Sequence, residues 1–157
     1  MSFEKENFLR TRFIRHLQQL DGSAPPLWGK MSVQQMIEHF GGDVLQVANG
    51  RLVIEMFTPA DQLPQMIEFL LSEKPFKKNL RNPLLGEEPL PLRFNTVQAS
   101  IANLHGELIH FFEVFEQKPM MTTLNPIFGP LNFDQNVQLL YKHALHHLRQ
   151  FGVNPYI

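Results

Sequence analysis

Seven histidines and no cysteine set the metal and nucleophile chemistry open to this chain. Disulfides, thiolate zinc sites and cysteine nucleophiles are excluded, so any site for a soft metal must be built from imidazole. The densest stretch is Tyr141, Lys142, His143, Ala144, Leu145, His146 and His147. On a helix, residues four apart lie about 40° from each other on adjacent turns, so His143 and His147 can aim at one atom beside the helix. That spacing is a common way to supply two metal ligands. His146 points away from the apolar stripe of the same helix and is left out. A pair from one helix covers only one side of an ion, so a third donor is expected from a facing helix. His39 is the best candidate, at the edge of an apolar stripe and one turn before Gly42, where a missing side chain leaves room for a helix, an ion or a ligand. Gly41 and Gly42 should each cost about 1 kcal/mol relative to alanine inside a helix, which points to some use of that space, close helix packing being the plainer one. His105 is the rival third ligand, whereas His110 and His16 look peripheral.

Three further residues could support such a site. Asp43 lies one turn beyond His39 and could orient it, take a proton or ligate the ion. Gln150 lies near the His143/His147 stripe, and Trp28 could line a pocket or act as a packing anchor. No catalytic acid or base is assigned.

The elements that must position these groups read as helices. Leu9, Phe13, Leu17 and Leu20 give the first stretch one apolar face, and the run from Asp21 through Gly22 to Pro25 and Pro26 ends it. A second helix begins at Ser32, which with Gln35 makes a capping box, and carries Val33, Met36, Phe40, Val44 and Val47 as its stripe. Pro59, Pro64, Pro75, Pro83, Pro89 and Pro91 cut the following region into pieces, with a short helix expected over residues 65–72. Asn95 or Thr96 caps a third long helix with Val97, Ile101, Leu104, Leu108, Phe112 and Phe115 on one face. Asn132 and Gln135 make a second capping box for a fourth helix, whose stripe is Val137, Leu140, Ala144, Leu148 and Phe151 and whose stop is Gly152. The expectation is an all-α chain: a four-helix bundle with a long crossover between the second and third helices carrying a short extra helix, and no strand.

Composition agrees with one domain over residues 1–157. A 157-residue chain with 43% hydrophobic residues can bury a sizeable core. A net charge of -1 gives no general attraction to nucleic acid or anionic lipid, and the local group Lys77, Lys78 and Arg81 reads as a solvated loop. Apolar runs are too short for a membrane span, and Glu4, Lys5 and Glu6 stand where an export signal needs apolar residues, so the expected location is the cytoplasm.

Residues 28–39, with Trp28, Gly29, Lys30 and Met31 leading to His39, followed far downstream by His143, His146, His147 and Gln150, resemble the DinB/YfiT-like superfamily over nearly the whole chain. The resemblance implies a four-helix bundle with one metal-ligating histidine on the second helix and a pair on the fourth, which map onto His39, His143 and His147. Residues 28–31 and the loop with Asn125, Pro126, Ile127, Phe128, Gly129 and Pro130 are similar to one branch whose role is unassigned. Characterised relatives are metal-dependent thiol transferases, a thiol-dependent isomerase and a proposed hydrolase, and dimers are frequent among them. The resemblance implies a divalent ion, a low-molecular-weight thiol as a further cofactor and a homodimer; imidazole suits zinc, nickel, iron and copper, zinc or nickel foremost, and the expected substrate is a small electrophile. The competing expectation is a stress-related bundle that binds a metal or small molecule without catalysis.

Overall fold

The computed structural model describes residues 3–78 and 88–157, and these are mostly helical. Helix α1 spans residues 3–19 and helix α2 residues 33–48. Helix α3 is Leu63–Leu71, α4 is Val97–Gln117 and α5 is Phe133–Gln150, and a hairpin of β1 (Thr123–Asn125) and β2 (Gly129–Leu131) joins the last two. Arg81 and Pro83, read above as part of a basic loop and as a helix breaker, lie outside the described residues.

Local chemistry accounts for the helix starts. Ser32 accepts from Gln35 N while Gln35 Oε1 accepts from Ser32 N, and Asn132 and Gln135 repeat the arrangement at α5, so each pair satisfies two otherwise free donors. Thr96, rather than Asn95, caps α4 by accepting from Ala99 N at 3.0 Å. Gly152 ends the last helix with a φ of 76°, a conformation that costs glycine nothing.

The apolar stripes then bring the helices together. α1 packs on α4 and α5, α2 on α4, and the short α3 on α5. The buried faces of α1, α2, α4 and α5, including Phe13, Phe40, Phe111, Phe112, Leu104 and Leu148, form the main core, and Leu70 of α3 joins Phe128, Leu131 and Leu139 in a smaller one. At Gly41 the backbone of α4 comes so close that a Cβ would meet the Leu104 Cα at 3.1 Å. This glycine serves helix packing.

Three expectations need correction. Neither α1 nor α2 keeps a regular 3.6-residue period, because Phe8–Arg12 and Phe40–Val44 are wound as π-helix. The wider turn shifts the phase of everything after it, so Leu45 is buried where Val44, which is only half-buried, was expected. Pro64 does not break a helix but stands in the first turn of α3, where its missing N–H has no partner to lose. The chain also contains strands. Thr123 pairs with Leu131 and Asn125 with Gly129, the Asn125 side chain accepting from Ile127 N and Phe128 N to close the turn. Its strands are three residues each, too short for period-2 patterning to show. Among the described residues, no helix is long and apolar enough to cross a membrane.

Candidate metal centre

His39 is the last residue of the α-helical first part of α2, immediately before the π turn. His143 and His147 lie one turn apart on α5, and their rings stack with centroids 4.6 Å apart. The His39 ring meets both edge-on, at 5.8 Å from His143 and 5.9 Å from His147. The three residues each place a ring nitrogen so that all three nitrogens lie within 4.8 Å of one another. Two imidazoles on one tetrahedral ion at ~2.1 Å stand roughly 3.4 Å apart, so closing the set takes about 1.4 Å at most, shared between two side chains. His39, more than a hundred positions from the other two in the chain, is thus close enough to His143 and His147 for the three to bind a metal ion.

Hydrogen bonds fix which nitrogen faces inward in two of the three rings, His147 and His39. The Trp28 carbonyl can only accept, so the Gln150 Nε2 amide that meets it at 3.0 Å is the donor. This leaves Gln150 Oε1 facing His147 Nδ1 at 2.8 Å, and the nitrogen must carry the proton. His147 Nε2 then holds a lone pair, and it is buried without any hydrogen-bond partner. A buried ring nitrogen left bare in this way costs free energy unless something occupies it. The Asp43 carboxylate does for His39 what Gln150 does for His147, with 3.2 Å between Asp43 Oδ2 and His39 Nδ1. Carboxylate or carbonyl support of the outer nitrogen is what metal-ligating imidazoles use to hold their orientation.

Electrostatics point the same way. Burial holds His143 well below the ordinary imidazole range, and the neighbouring His147 and His39 rings add to the effect. Burial likewise pushes His147 down to about 3, although its bond to Gln150 works in the opposite direction. Both rings are therefore neutral near pH 7, the form in which imidazole ligates. Phe40 and Phe76 flank His143 at 5.5 and 5.6 Å between centroids, which gives the site an apolar wall. The donor set, the tautomers fixed at His39 and His147 and the bare nitrogen fit a divalent ion.

His105, the rival ligand, is on α4 and takes no part in the cluster. His16 packs beside Phe8, and His110 is half-buried elsewhere on α4. His146 is outside the cluster as expected, its ring 5.4 Å from that of Trp28. Trp28 supports the centre through its backbone carbonyl more than through its ring. Gly42 does not leave space for an ion: the Arg93 guanidinium fills the place its Cβ would take.

The residues that sequence reasoning missed are Gly29, Phe76 and Glu38. Gly29, with a φ of 76°, lets the backbone beside Trp28 approach Gln150, whose Nε2 would lie 3.1 Å from an added Cβ. Phe76 comes from an irregular segment with no periodicity to betray it. Glu38, next to His39, faces the other way and is only 4% exposed. It accepts from the backbone N–H groups of Arg93 and Phe94 and from Gln34 and Ser100, tying residues 93–94 and α4 to α2. Burial pushes its carboxyl up, but these donors outweigh it and hold the group below its usual value. Ile37 just before it and Phe40 two positions on were the available signal.

No protein-family model, curated protein or solved structure matches the chain, so its function must be argued from this centre.

Proposed function

We propose that this chain is a divalent-metal-dependent enzyme of the DinB/YfiT-like kind, acting on a small electrophilic substrate as a thiol transferase or a hydrolase. The observation that carries the reading is the bare, buried Nε2 of His147 within a converging set of three histidines. A four-helix bundle accommodates it: α1, α2, α4 and α5 form the bundle, and α3, laid on α5, belongs to the connection between α2 and α4. This is the arrangement that the packing of α1 and α2 on α4, and of α1 on α5, supports.

Three neutral histidines leave the charge of an ion intact and a position open, as catalytic sites do. An ion so held, zinc or nickel by ligand type, supplies Lewis acidity that makes water or a small thiol a competent nucleophile near neutral pH. The chain's own residues provide orientation and shelter. Asp43 and Gln150 hold two of the rings with Nε2 inward, and Phe40 and Phe76 keep water from the flank of His143. A cytoplasmic location, a low-molecular-weight thiol as second cofactor and a homodimer belong to the same proposal.

Elemental analysis of protein purified without an affinity tag tests it, alongside His39→Ala, His143→Ala and His147→Ala. The expected result is one zinc or nickel per chain, lost in all three variants, with metal-dependent turnover in a panel of thiol-conjugation and ester-hydrolysis substrates. Stoichiometric metal without turnover would replace the enzyme by a metal-binding protein. Material that stays metal-free when offered either ion would end both readings.

A further inference from the structure

A second concavity lies against the outer side of α5, beside the histidine centre but not part of it. It encloses about 320 Å³, within the range of small-molecule sites. Its walls are rings: Trp28, Phe76, Tyr141 and Tyr156. Its charge is one-sided. Among the described residues, Lys74, Lys78, Lys142 and Arg149 line it against one acid, Glu73. That carboxylate is already engaged, 2.6 Å from the ammonium of Lys5. Lys142 is engaged too, donating to the carbonyls of Phe69 and Ser72 at the end of α3.

The other three cations have no carboxylate partner among the described residues. Lys78 sits 5.0 Å from the centre of the Trp28 ring, and Arg149 donates to the Tyr156 hydroxyl at 2.9 Å. Lys74 is exposed at the rim. Mutually repelling cations held around an aromatic hollow favour a negative ligand and oppose a positive one. A bare inorganic anion would leave the ring walls unused, and a neutral apolar molecule would leave the charges unused. A molecule with a flat ring and an anionic group uses both.

We propose that this pocket binds a small aromatic anion, a ring bearing a carboxylate or a phosphate. The pocket is separated from the histidine centre by one layer of side chains. Phe76 is 5.6 Å from His143 on one side and 5.8 Å from the pocket-lining His146 on the other, and His146 is 5.4 Å from His147. Binding requires none of the three clustered histidines and is independent of metal.

Trp28 is the chain's single tryptophan, so its emission reports from the pocket wall. Metal-free protein would be titrated with phenyl phosphate and benzoate, and with benzyl alcohol, benzylamine and inorganic phosphate as controls, following both Trp28 emission and heat. Phenyl phosphate and benzoate are expected to bind saturably, with benzyl alcohol and inorganic phosphate at least about tenfold weaker and benzylamine without effect. Lys78→Gln and Arg149→Gln should each weaken the two anions by about fivefold, the size of one unit-charge contact in a solvent-like dielectric. Equal binding of benzyl alcohol would reduce the pocket to an apolar hollow, and equal binding of inorganic phosphate to a plain basic patch. Heat without a change in Trp28 emission would place the ligand elsewhere. Each of these, or no saturable signal, overturns the proposal, and because the protein is metal-free the result does not depend on the metal centre.

Discussion

Replacing Gln150 with leucine separates orientation of a ligand from ligation itself. The side chain is 5% exposed and makes two hydrogen bonds, accepting from His147 Nδ1 at 2.8 Å and donating to the Trp28 carbonyl at 3.0 Å. Leucine has a similar size and makes neither. Each buried group left bare costs about 1–3 kcal/mol, and the added apolar burial returns roughly 1–2 kcal/mol. Two bare groups at about 2 kcal/mol each, less about 1.5 kcal/mol returned, leave a net loss of about 2–3 kcal/mol in the metal-free protein. A separate effect concerns His147, whose Nδ1–H no longer has an acceptor. The ring is then free to move its proton to Nε2, the nitrogen that must stay bare to ligate. Loss of such support weakens metal binding by about 10–100-fold. Competition of Gln150→Leu and wild type against a chromophoric zinc chelator measures that affinity, and urea unfolding of the metal-free forms measures the stability term. Wild-type zinc affinity in Gln150→Leu, while His147→Ala loses the metal, would show that Gln150 does not set the tautomer and would refute the reasoning.

The same buried rings make the metal-free protein sensitive to acid. His147 is pushed from 6.5 down to about 3 by burial, so between those values the unfolded chain holds a proton that the folded chain does not. The stabilisation is fully present above about pH 6.5 and is lost as pH falls below it, about 2 kcal/mol by pH 5 for His147 alone, with His143 acting in the same direction. Urea midpoints from pH 7.5 to 5 measure it, and a flat profile would mean that the rings are not buried as described. Glu38→Gln sets an amide donor against groups that now donate to the carboxylate, among them Arg93 N and Ser100 Oγ. It should cost about 2–4 kcal/mol in urea unfolding while the folded protein keeps its metal stoichiometry. A variant as stable as wild type would show that this buried carboxylate is not a structural tie.

Some of this protein is determined within a few residues and can be read from the chain alone. The capping boxes at Ser32 and Asn132 close over three positions, and the placement of His143 and His147 on one side of a helix follows from its pitch. Those interactions carry their own geometry, so no distant contact is needed to predict them. The third histidine is different. His39 is the best candidate and His105 its rival on a separate helix, but only the way α2 and α5 approach each other brings His39 to the pair. The same holds for Gln150, whose position near the pair was legible. Its orientation, however, comes from the Trp28 carbonyl more than a hundred residues away. The π turn after His39 follows no helical period, and Arg93 over Gly42 and Phe76 against His143 are contacts between segments far apart in the chain. Periodicity records which face of a helix is apolar, but the partner that face meets is decided by the packing of the whole core.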